Sequence, residues 1–303
     1  MKLALGTAQF GMQYGVANRV GQPSEVEIKE ILQIASAHGI NTLDTAIAYG
    51  DCEERLGRIG VPNWQIISKL PAFESDASNI HEEVRAVVHE SLQKLGVERI
   101  YGLLLHRPEQ LLEKNGDALY RALEQVKKDG LVHKIGISIY DPASLEMILP
   151  SFSFDLVQTP FSPFDQRVIL SGWASRLKSL GIELHVRSIF LQGLLLMQNG
   201  KRPNEFDRWS PLWNRWHEWL QDMHVTALQA CLGFVASLPQ IDRILVGVEN
   251  TNQLLEIVEG IQRPAIAIPD EFCSTDLGLI NPANWPLLNS VNKANLQKIA
   301  RKK

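Results

Sequence analysis

The chain has few cysteines, and their spacing fits no cross-linked framework. Cys52, Cys231 and Cys273 are the only three in 303 residues, they lie far apart, and no CxxC pair occurs. An odd number of separated cysteines argues against a disulfide scaffold and against a cysteine zinc site. Low cysteine use is typical of a reducing cytoplasm, and we expect the protein to be cytoplasmic.

Long apolar runs are also absent. Between Met1 and Gly6 the sequence has one lysine and three apolar residues, whereas the apolar region of a signal peptide needs about 7–15. No run approaches the ~20 apolar residues of a membrane-spanning helix. We therefore expect neither a signal peptide nor a membrane as a partner.

A basic excess is missing as well. The 30 Lys and Arg residues against 34 Asp and Glu give a net charge of −4 with His neutral. This balance argues against a polyanion, so we do not expect nucleic acid as a partner. Apolar residues make up 45% of the chain, enough for a large core and too many for a disordered protein.

Eight short apolar runs alternate with longer amphipathic segments. The runs are Leu3–Gly6, Asn41–Ala46, Gln65–Leu70, Ile100–His106, Lys134–Ser138, Leu156–Thr159, Glu183–Ile189 and Arg243–Val248. Most of them lack polar alternation, as strands buried on both faces do. Helical patterns lie at Glu25–His38, Ser78–Leu95, Asn115–Asp129, Gln166–Leu180, Val225–Ser237 and Asn252–Glu259, several of them followed by a glycine.

This alternation predicts the α/β class. Eight strands, each followed by a helical segment, are the count of a single (β/α)8 TIM barrel. The length also fits two domains, and an open doubly wound sheet has similar periodicity, so periodicity alone leaves that alternative open. On the strand count we predict one barrel domain over residues 1–303, with a core of about residues 3–262.

Two segments fall outside the alternation: an insertion after strand 7 at Gln198–Asp222, and a C-terminal extension at residues 263–303. The insertion holds four of the seven tryptophans, Trp209, Trp213, Trp216 and Trp219. Long insertions after barrel strands often line the mouth where chemistry occurs, whereas tryptophans also serve simply to pack an extra helix. Both interpretations stay open at this stage.

Polar residues follow or end most of the predicted strands. They are Asp44, Lys69, His106, Ser138, Gln158 and Ser188, with Tyr49 in the loop after the second strand. A barrel brings the carboxyl ends of its strands to one face, so these side chains should meet at the barrel mouth.

Four of them suggest proton transfer to a carbonyl. Buried Asp and Lys are rare unless paired, so we expect an ion pair between Asp44 and Lys69. An adjacent ammonium would lower the pKa of the Tyr49 phenol from its usual value near 10. With His106 at the same oxygen, the phenol would act as a proton donor. A carbonyl protonated on oxygen needs a nucleophile on carbon, and hydride from a nicotinamide is one source. Each residue taken alone also has a purely structural explanation.

The same residues carry a family resemblance. Gly6-Thr7-Ala8-Gln9-Phe10-Gly11 resembles the opening glycine motif of aldo-keto reductases, and Asp44-Thr45-Ala46-x-x-Tyr49-Gly50-x-x-Glu53-x-x-Leu56-Gly57 resembles their most diagnostic signature. Later blocks match in order at residues 67–70, 103–108, 134–138, 187–195 and 247–256. The resemblance covers roughly residues 3–260.

The resemblance implies a (β/α)8 barrel that reduces an aldehyde or ketone, a small carbonyl or sugar-like compound, with NADPH or NADH. By motif, Tyr49 is the general acid, Lys69 and Asp44 tune it, and His106 orients the carbonyl. The implied cofactor-binding residues are Gly6, Thr7, Asp44, Ser138, Gln158, Arg187, Ser188, Phe190, Gln192, Gly193, Gly247, Glu249, Gln253 and Glu256. We expect a monomer or a weak homo-oligomer.

Two departures from the family leave another function open. Ile139 follows Ser138 where the family has asparagine, and Arg187 stands where the family has an aromatic residue that stacks on the nicotinamide. A guanidinium can also stack on a flat ring. These departures favour a nicotinamide-binding sensor or regulatory barrel with little turnover, whereas the complete set of Asp44, Tyr49, Lys69 and His106 favours an enzyme. A metal-dependent barrel hydrolase is disfavoured, because the first strand has no His-x-His pair.

The cofactor preference depends on the loop after strand 8. It reads Gly247-Val248-Glu249-Asn250-Thr251-Asn252-Gln253, with one acid and no basic residue. In this family a basic residue there commonly holds the 2′-phosphate of NADP, whereas a carboxylate repels it and can accept from a ribose hydroxyl. NADP is the family expectation and NAD is favoured by Glu249. We expect pocket walls from Phe10, Met12, Tyr14, the tryptophan-rich insertion and Trp285.

Overall fold

Eight parallel strands close into a barrel in the computed structural model, which describes residues 1–18, 21–74 and 79–285. The strands are β1 (Leu3–Gly6), β2 (Thr42–Asp44), β3 (Gln65–Leu70), β4 (Ile100–Leu105), β5 (Val132–Ser138), β6 (Leu156–Pro160), β7 (Glu183–Arg187) and β8 (Arg243–Gly247). Closure comes from β1, which pairs with β2 on one side and β8 on the other. The predicted barrel is confirmed, and the open sheet is excluded.

Twelve α-helices are found in the described residues. They are α1 (Ala8–Gly11), α2 (Glu25–Ala37), α3 (Cys52–Ile59), α4 (Ile80–Leu95), α5 (Gly116–Lys128), α6 (Ser144–Ile148), α7 (Arg167–Leu170), α8 (Trp173–Ser179), α9 (Ser210–Asp222), α10 (Ala227–Ala236), α11 (Thr251–Gly260) and α12 (Leu277–Ile280). Most of the longer helices pack apolar faces on the barrel, as Ile28, Ile31 and Leu32 of α2 do. No helix in this part of the chain is long and apolar enough to cross a membrane.

The helices differ from the sequence prediction in two respects. The single helix predicted at Gln166–Leu180 is wrong, because the chain forms α7 and α8 with a break at Gly172, whose φ of +79° is left-handed. Helices α1, α3, α6 and α12 were not predicted. All are short, at four to eight residues, so each spans too few turns for a repeating apolar pattern to be recognised.

The insertion and the C-terminal extension pack together beside the barrel. Trp213 and Trp216 of α9 are buried with Phe164, Phe272 and Trp285 in an apolar cluster separate from the barrel core. Their rings stack or meet edge to face, for example Phe164 and Trp213 at 5.5 Å between centroids. Of the two interpretations of the tryptophans, lining the barrel mouth or packing an extra helix, the structure supports the second: they hold α9 in place. The extension beyond residue 285 lies outside the described residues.

Candidate active site

Strand register brings the predicted site residues to one end of the barrel. Asp44 ends β2, Lys69 is the penultimate residue of β3, and His106 directly follows β4. In the ladder Gly6 lies opposite both Asp44 and Gly247, so three strand ends meet at that point. Because all strands are parallel, their carboxyl ends form one mouth.

Asp44 and Lys69 form the predicted ion pair. Lys69 Nζ lies 2.5 Å from Asp44 Oδ1 and also donates to the carbonyl of Thr45 at 2.9 Å. Both side chains are almost fully buried. Burial lowers the pKa of Lys69, and the Asp44 carboxylate opposes that shift. Loss of either partner would leave a buried charge without its counter-ion, which is strongly destabilising.

A second buried chain of hydrogen bonds ends on the same carboxylate. Gln158 Nε2 donates to Asp44 Oδ2 at 2.7 Å, and Ser138 Oγ donates to Gln158 Oε1 at 3.3 Å. With Lys69 on Oδ1, both oxygens of Asp44 are held by protein donors. Ser138 and Gln158 therefore lie behind Asp44, and neither side chain forms the wall of the cleft described below.

Two glycines hold Tyr49 in place. A Cβ atom on Gly11 would lie 1.8 Å from the carbonyl oxygen of Tyr49, and one on Gly50 would lie 2.3 Å from the carbonyl oxygen of Gly11. Gly50 also has a φ of +60°. Only glycine permits both the left-handed turn and this close approach of the two loops. The loop after β2 thereby packs against the end of α1, and Tyr49 is fixed at the mouth.

Tyr49 is surrounded by Lys69 and His106, but its pKa shifts against the prediction. Lys69 Nζ lies 5.3 Å from the centroid of the Tyr49 ring, and the His106 ring meets it edge-on with centroids 6.3 Å apart. We expected the ammonium to lower the pKa of the phenol. Instead burial raises that pKa above 10, followed by repulsion from Asp44, while Arg187 opposes the shift. That expectation is wrong because burial disfavours the charged phenolate, so Tyr49 stays a protonated donor at neutral pH.

His106 is held neutral. Burial lowers its pKa to about 4, and the charges of Lys69 and Arg187 act in the same direction. A neutral imidazole carries one N–H donor and one acceptor nitrogen. At neutral pH His106 therefore presents a hydrogen-bond donor without adding a further positive charge to the site.

A cleft of about 350 Å³ opens at this mouth, within the usual range for a ligand site. Its walls contain most of the predicted cofactor-binding residues: Gly6, Thr7, Asp44, Arg187, Ser188, Phe190, Gln192, Gly193, Gly247, Glu249, Gln253 and Glu256. Tyr49 and Tyr14 also line it. Phe10 and Trp285 are fully buried in apolar clusters, so their prediction as pocket walls is wrong.

The loop after β7 is strained where it borders the cleft. Ser188, Leu191 and Gln192 have φ between +47° and +60°, a region that residues with a Cβ rarely adopt. Gly193 follows with φ +93°, and a Cβ there would lie 2.4 Å from the Cβ of Ala17. Strain of this kind is kept where the surrounding structure requires it, most often at ligand sites.

Gln192 links this loop to Tyr14 across the cleft. Its Nε2 donates to the Tyr14 hydroxyl at 3.2 Å, whereas its buried Oε1 has no hydrogen-bond partner in the described structure. A buried acceptor without a partner is costly, and a ligand that donates to it would remove that cost. This part of the cleft thus combines an acceptor without a partner and closely packed backbone.

Arg187 contacts the other residue that departs from the family. Arg187 Nη2 donates to the carbonyl of Ile139 at 3.0 Å, and the guanidinium carbon lies 4.4 Å from the centroid of the Tyr140 ring. Of the described residues that line the cleft, Arg187 is the one cation. Its charge faces the site that holds Tyr49 and His106.

Several cleft residues were not predicted from the sequence. Gln9 and Asn18, on the segment after β1, line the cleft together with Leu228 of α10. Gln9 lies within the opening glycine motif, so the motif could have indicated it. Asn18 and Leu228 carry no local signal, because only the folded segment brings them to the mouth.

Known proteins resemble the chain in sequence and fold. The model of the Aldo/keto reductase family matches residues 2–266. Over 176 residues the chain is 28% identical to a glyoxal reductase of Bacillus subtilis (56% of this chain, 60% of that one). It is 31% identical over 150 residues to an NAD/NADP-dependent indole-3-acetaldehyde reductase of Schizosaccharomyces pombe (48% and 49%).

The alignments with these two curated relatives therefore span about half to three fifths of each relative's length. A solved aldo-keto reductase of Bacillus halodurans, in its holo form, superposes with a TM-score of 0.69 over 94% of this chain and 95% of its own, at 17% identity. At that identity the superposition shows a shared fold.

Proposed function

The chain belongs to the aldo/keto reductase family, and on that basis we propose that it reduces an aldehyde or ketone to the alcohol with hydride from NADH or NADPH. Tyr49 is the general acid of this reaction. The proposal rests on one observation: the buried Asp44–Lys69 pair places the Lys69 ammonium 5.3 Å from the centroid of the Tyr49 ring, and the His106 ring meets the same ring edge-on.

A nicotinamide dinucleotide fits the residues that line the cleft. The close-packed glycines, the strained β7 loop and the unpartnered Gln192 Oε1 offer a shaped backbone and a free acceptor. Thr7, Ser188, Gln192 and Gln253 would hold the dinucleotide, with Arg187 against the nicotinamide. When bound, the dinucleotide supplies the hydride for the carbonyl carbon.

Tyr49 supplies the proton to the carbonyl oxygen. Because its pKa is raised, the phenol is fully protonated at pH 7. Its proton moves to the carbonyl oxygen as hydride addition at the carbon places negative charge on that oxygen and makes it basic. The Lys69 ammonium, 5.3 Å from the ring, stabilises the phenolate that remains after transfer. Asp44 keeps that ammonium charged and in place despite its burial.

His106 orients the substrate. As a neutral imidazole it donates one N–H to the carbonyl oxygen from the side of Tyr49. Two donors that converge on one oxygen fix the position of the carbonyl and stabilise the alkoxide-like transition state. The substrate is a small carbonyl or sugar-like compound, because Tyr14, Tyr49 and Tyr140 give the mouth flat aromatic surfaces that also carry hydroxyl groups.

A second candidate function is a nicotinamide-binding sensor with little turnover. The contact between the two departures, Arg187 to the Ile139 carbonyl, favours it, since the guanidinium is anchored where the family has an aromatic ring. Under this alternative the dinucleotide still binds, but the carbonyl is reduced slowly or not at all.

One assay separates the two functions. Purified protein is given NADH or NADPH with a panel of aldehydes, and cofactor oxidation at 340 nm is followed beside fluorescence titration of cofactor binding. A reductase binds the cofactor and oxidises it with at least one aldehyde, at a rate that depends on Tyr49. Tight cofactor binding without turnover across the panel favours the sensor and contradicts our proposal.

A further inference from the structure

Three backbone amides at or next to the start of helix α11 donate to side-chain oxygen atoms of the chain itself. The Thr251 N–H donates at 2.8 Å to Oε1 of Glu27, which lies on the neighbouring helix α2. The Gln253 N–H donates to Asn250 Oδ1 at 3.0 Å, and the Glu249 N–H donates to Gln253 Oε1 at 2.8 Å. These three amides are therefore not free to bind an incoming phosphate.

The same helix start borders the cleft. The cleft wall passes from Asp44 and Tyr49 along the β7 loop to Glu249, Gln253 and Glu256 of the β8 loop and α11. Hydride and proton must reach one carbonyl, so the nicotinamide of a bound dinucleotide lies at the Tyr49 end. The adenosine half is then directed to the end formed by α11.

Charge at this end is unfavourable for another anion. The N-terminus of a helix attracts anions through its free N–H groups and its dipole, and the carboxylate of Glu27 already occupies that position on α11. Glu249 and Glu256 add two more carboxylates to the wall. The one cation among the described cleft residues, Arg187, belongs to the other end, where β7 meets Tyr140.

We propose that Glu27 is a specificity-determining residue that makes the adenosine end of this cleft select NADH over NADPH. The inference rests on the proposed function, since it assumes that a nicotinamide dinucleotide binds here. The 2′-phosphate of NADPH carries about −1.5 to −2 charges at neutral pH. To reach the α11 amides it must displace Glu27, whereas the 2′-hydroxyl of NADH can donate to a carboxylate at the same place.

If Glu27 served only as a structural cap on α11, a different result would be expected. Removal of a cap lowers stability without changing how the protein ranks two cofactors that differ by one phosphate. The ratio of the two dissociation constants therefore separates the roles, and it is measured without turnover.

The experiment compares Glu27→Gln with Glu30→Gln by fluorescence titration of NADH and NADPH at low and high salt. Glutamine keeps the length of the side chain and an oxygen that accepts from the Thr251 N–H, so only the charge is lost. Glu30 is exposed one turn along the same helix, and its replacement changes the net charge equally. We expect Glu27→Gln to strengthen NADPH binding relative to NADH by roughly three- to tenfold, with a smaller gain at high salt.

Glu30→Gln should leave the ratio within experimental error of wild type. An unchanged ratio in Glu27→Gln, an equal change in Glu30→Gln, or a wild type that prefers NADPH overturns the inference while the proposed function stands. Failure of wild type to bind either dinucleotide overturns both.

Discussion

The ring of His106 meets the ring of Tyr49 edge-on, with centroids 6.3 Å apart and planes at 85°. One residue follows β4 and the other lies in the loop after β2, so the contact depends on the two strand ends that flank β3. It brings a phenol and a neutral imidazole to the same small volume, where both can donate to one oxygen atom.

Tyr49→Phe should lower carbonyl reduction by ~10²–10⁴-fold, the usual contribution of a positioned general acid. Folding should be nearly intact, because phenylalanine removes only the hydroxyl and keeps the ring that packs against the barrel core. The measurement is kcat with the best aldehyde of the panel, with cofactor titration and thermal unfolding as controls. Activity within threefold of wild type would rule out Tyr49 as the acid.

Lys69→Met should reduce turnover to a comparable degree, because the phenolate left by proton transfer loses its nearby ammonium. The double variant Tyr49→Phe/Lys69→Met should be no worse than the poorer single variant, since residues that act as one unit are strongly non-additive. Unfolding is measured in parallel, because Lys69→Met leaves Asp44 buried without its counter-ion. Losses that multiply in the double variant would show that the two residues act separately.

The lowered pKa of His106 predicts that the free energy of unfolding depends on pH. Its folded-state pKa of about 4 lies below its ordinary value of 6.5, so between these values the unfolded chain binds more protons than the folded one. The stabilisation is therefore present above pH 6.5 and is lost as the pH falls toward 4. We expect wild type to lose roughly 1–3 kcal/mol more than His106→Asn between pH 7 and pH 4.5.

The check is urea unfolding of both proteins at the two pH values. His185, whose pKa is also lowered by burial, is present in both proteins, so its effect cancels in the comparison. Equal losses in wild type and His106→Asn would mean that His106 is not held neutral.

Glu249→Arg should improve NADP affinity by roughly fivefold or better, because it exchanges a carboxylate for a cation that can bind phosphate. NAD affinity should stay level or fall, since the ribose loses an acceptor. Glu249 lines the cleft beside Gln253, and burial raises the pKa of its carboxyl.

Fluorescence titration of both cofactors at low and high salt measures this ratio. Glu259→Arg, at an exposed position on helix α11, which follows the loop of Glu249, reverses the same charge as a matched control. If the NADP-to-NAD ratio does not move in Glu249→Arg, the carboxylate is not at the cofactor, and the case for NAD loses this support.

The fold was predictable because it depends on local pattern. Apolar runs without polar alternation mark strands buried on both faces, and eight of them separated by amphipathic helices permit few arrangements. Parallel strands then place residues such as Asp44 and Lys69 at one mouth, so their ion pair was predictable as well. The break at Gly172 was missed because a glycine within a helical pattern does not by itself end a helix.

The sequence by itself determined the strands, the barrel and the residue types at its mouth. Only the tertiary structure decided the environment of each group: the raised pKa of Tyr49, the tryptophans packed beside the barrel, and the bond from Thr251 to Glu27, 224 residues away. The physical reason is the distance along the chain over which each effect acts. Periodicity and charge act along a few residues of chain, whereas desolvation and long-range hydrogen bonds depend on which loops meet once the barrel has closed.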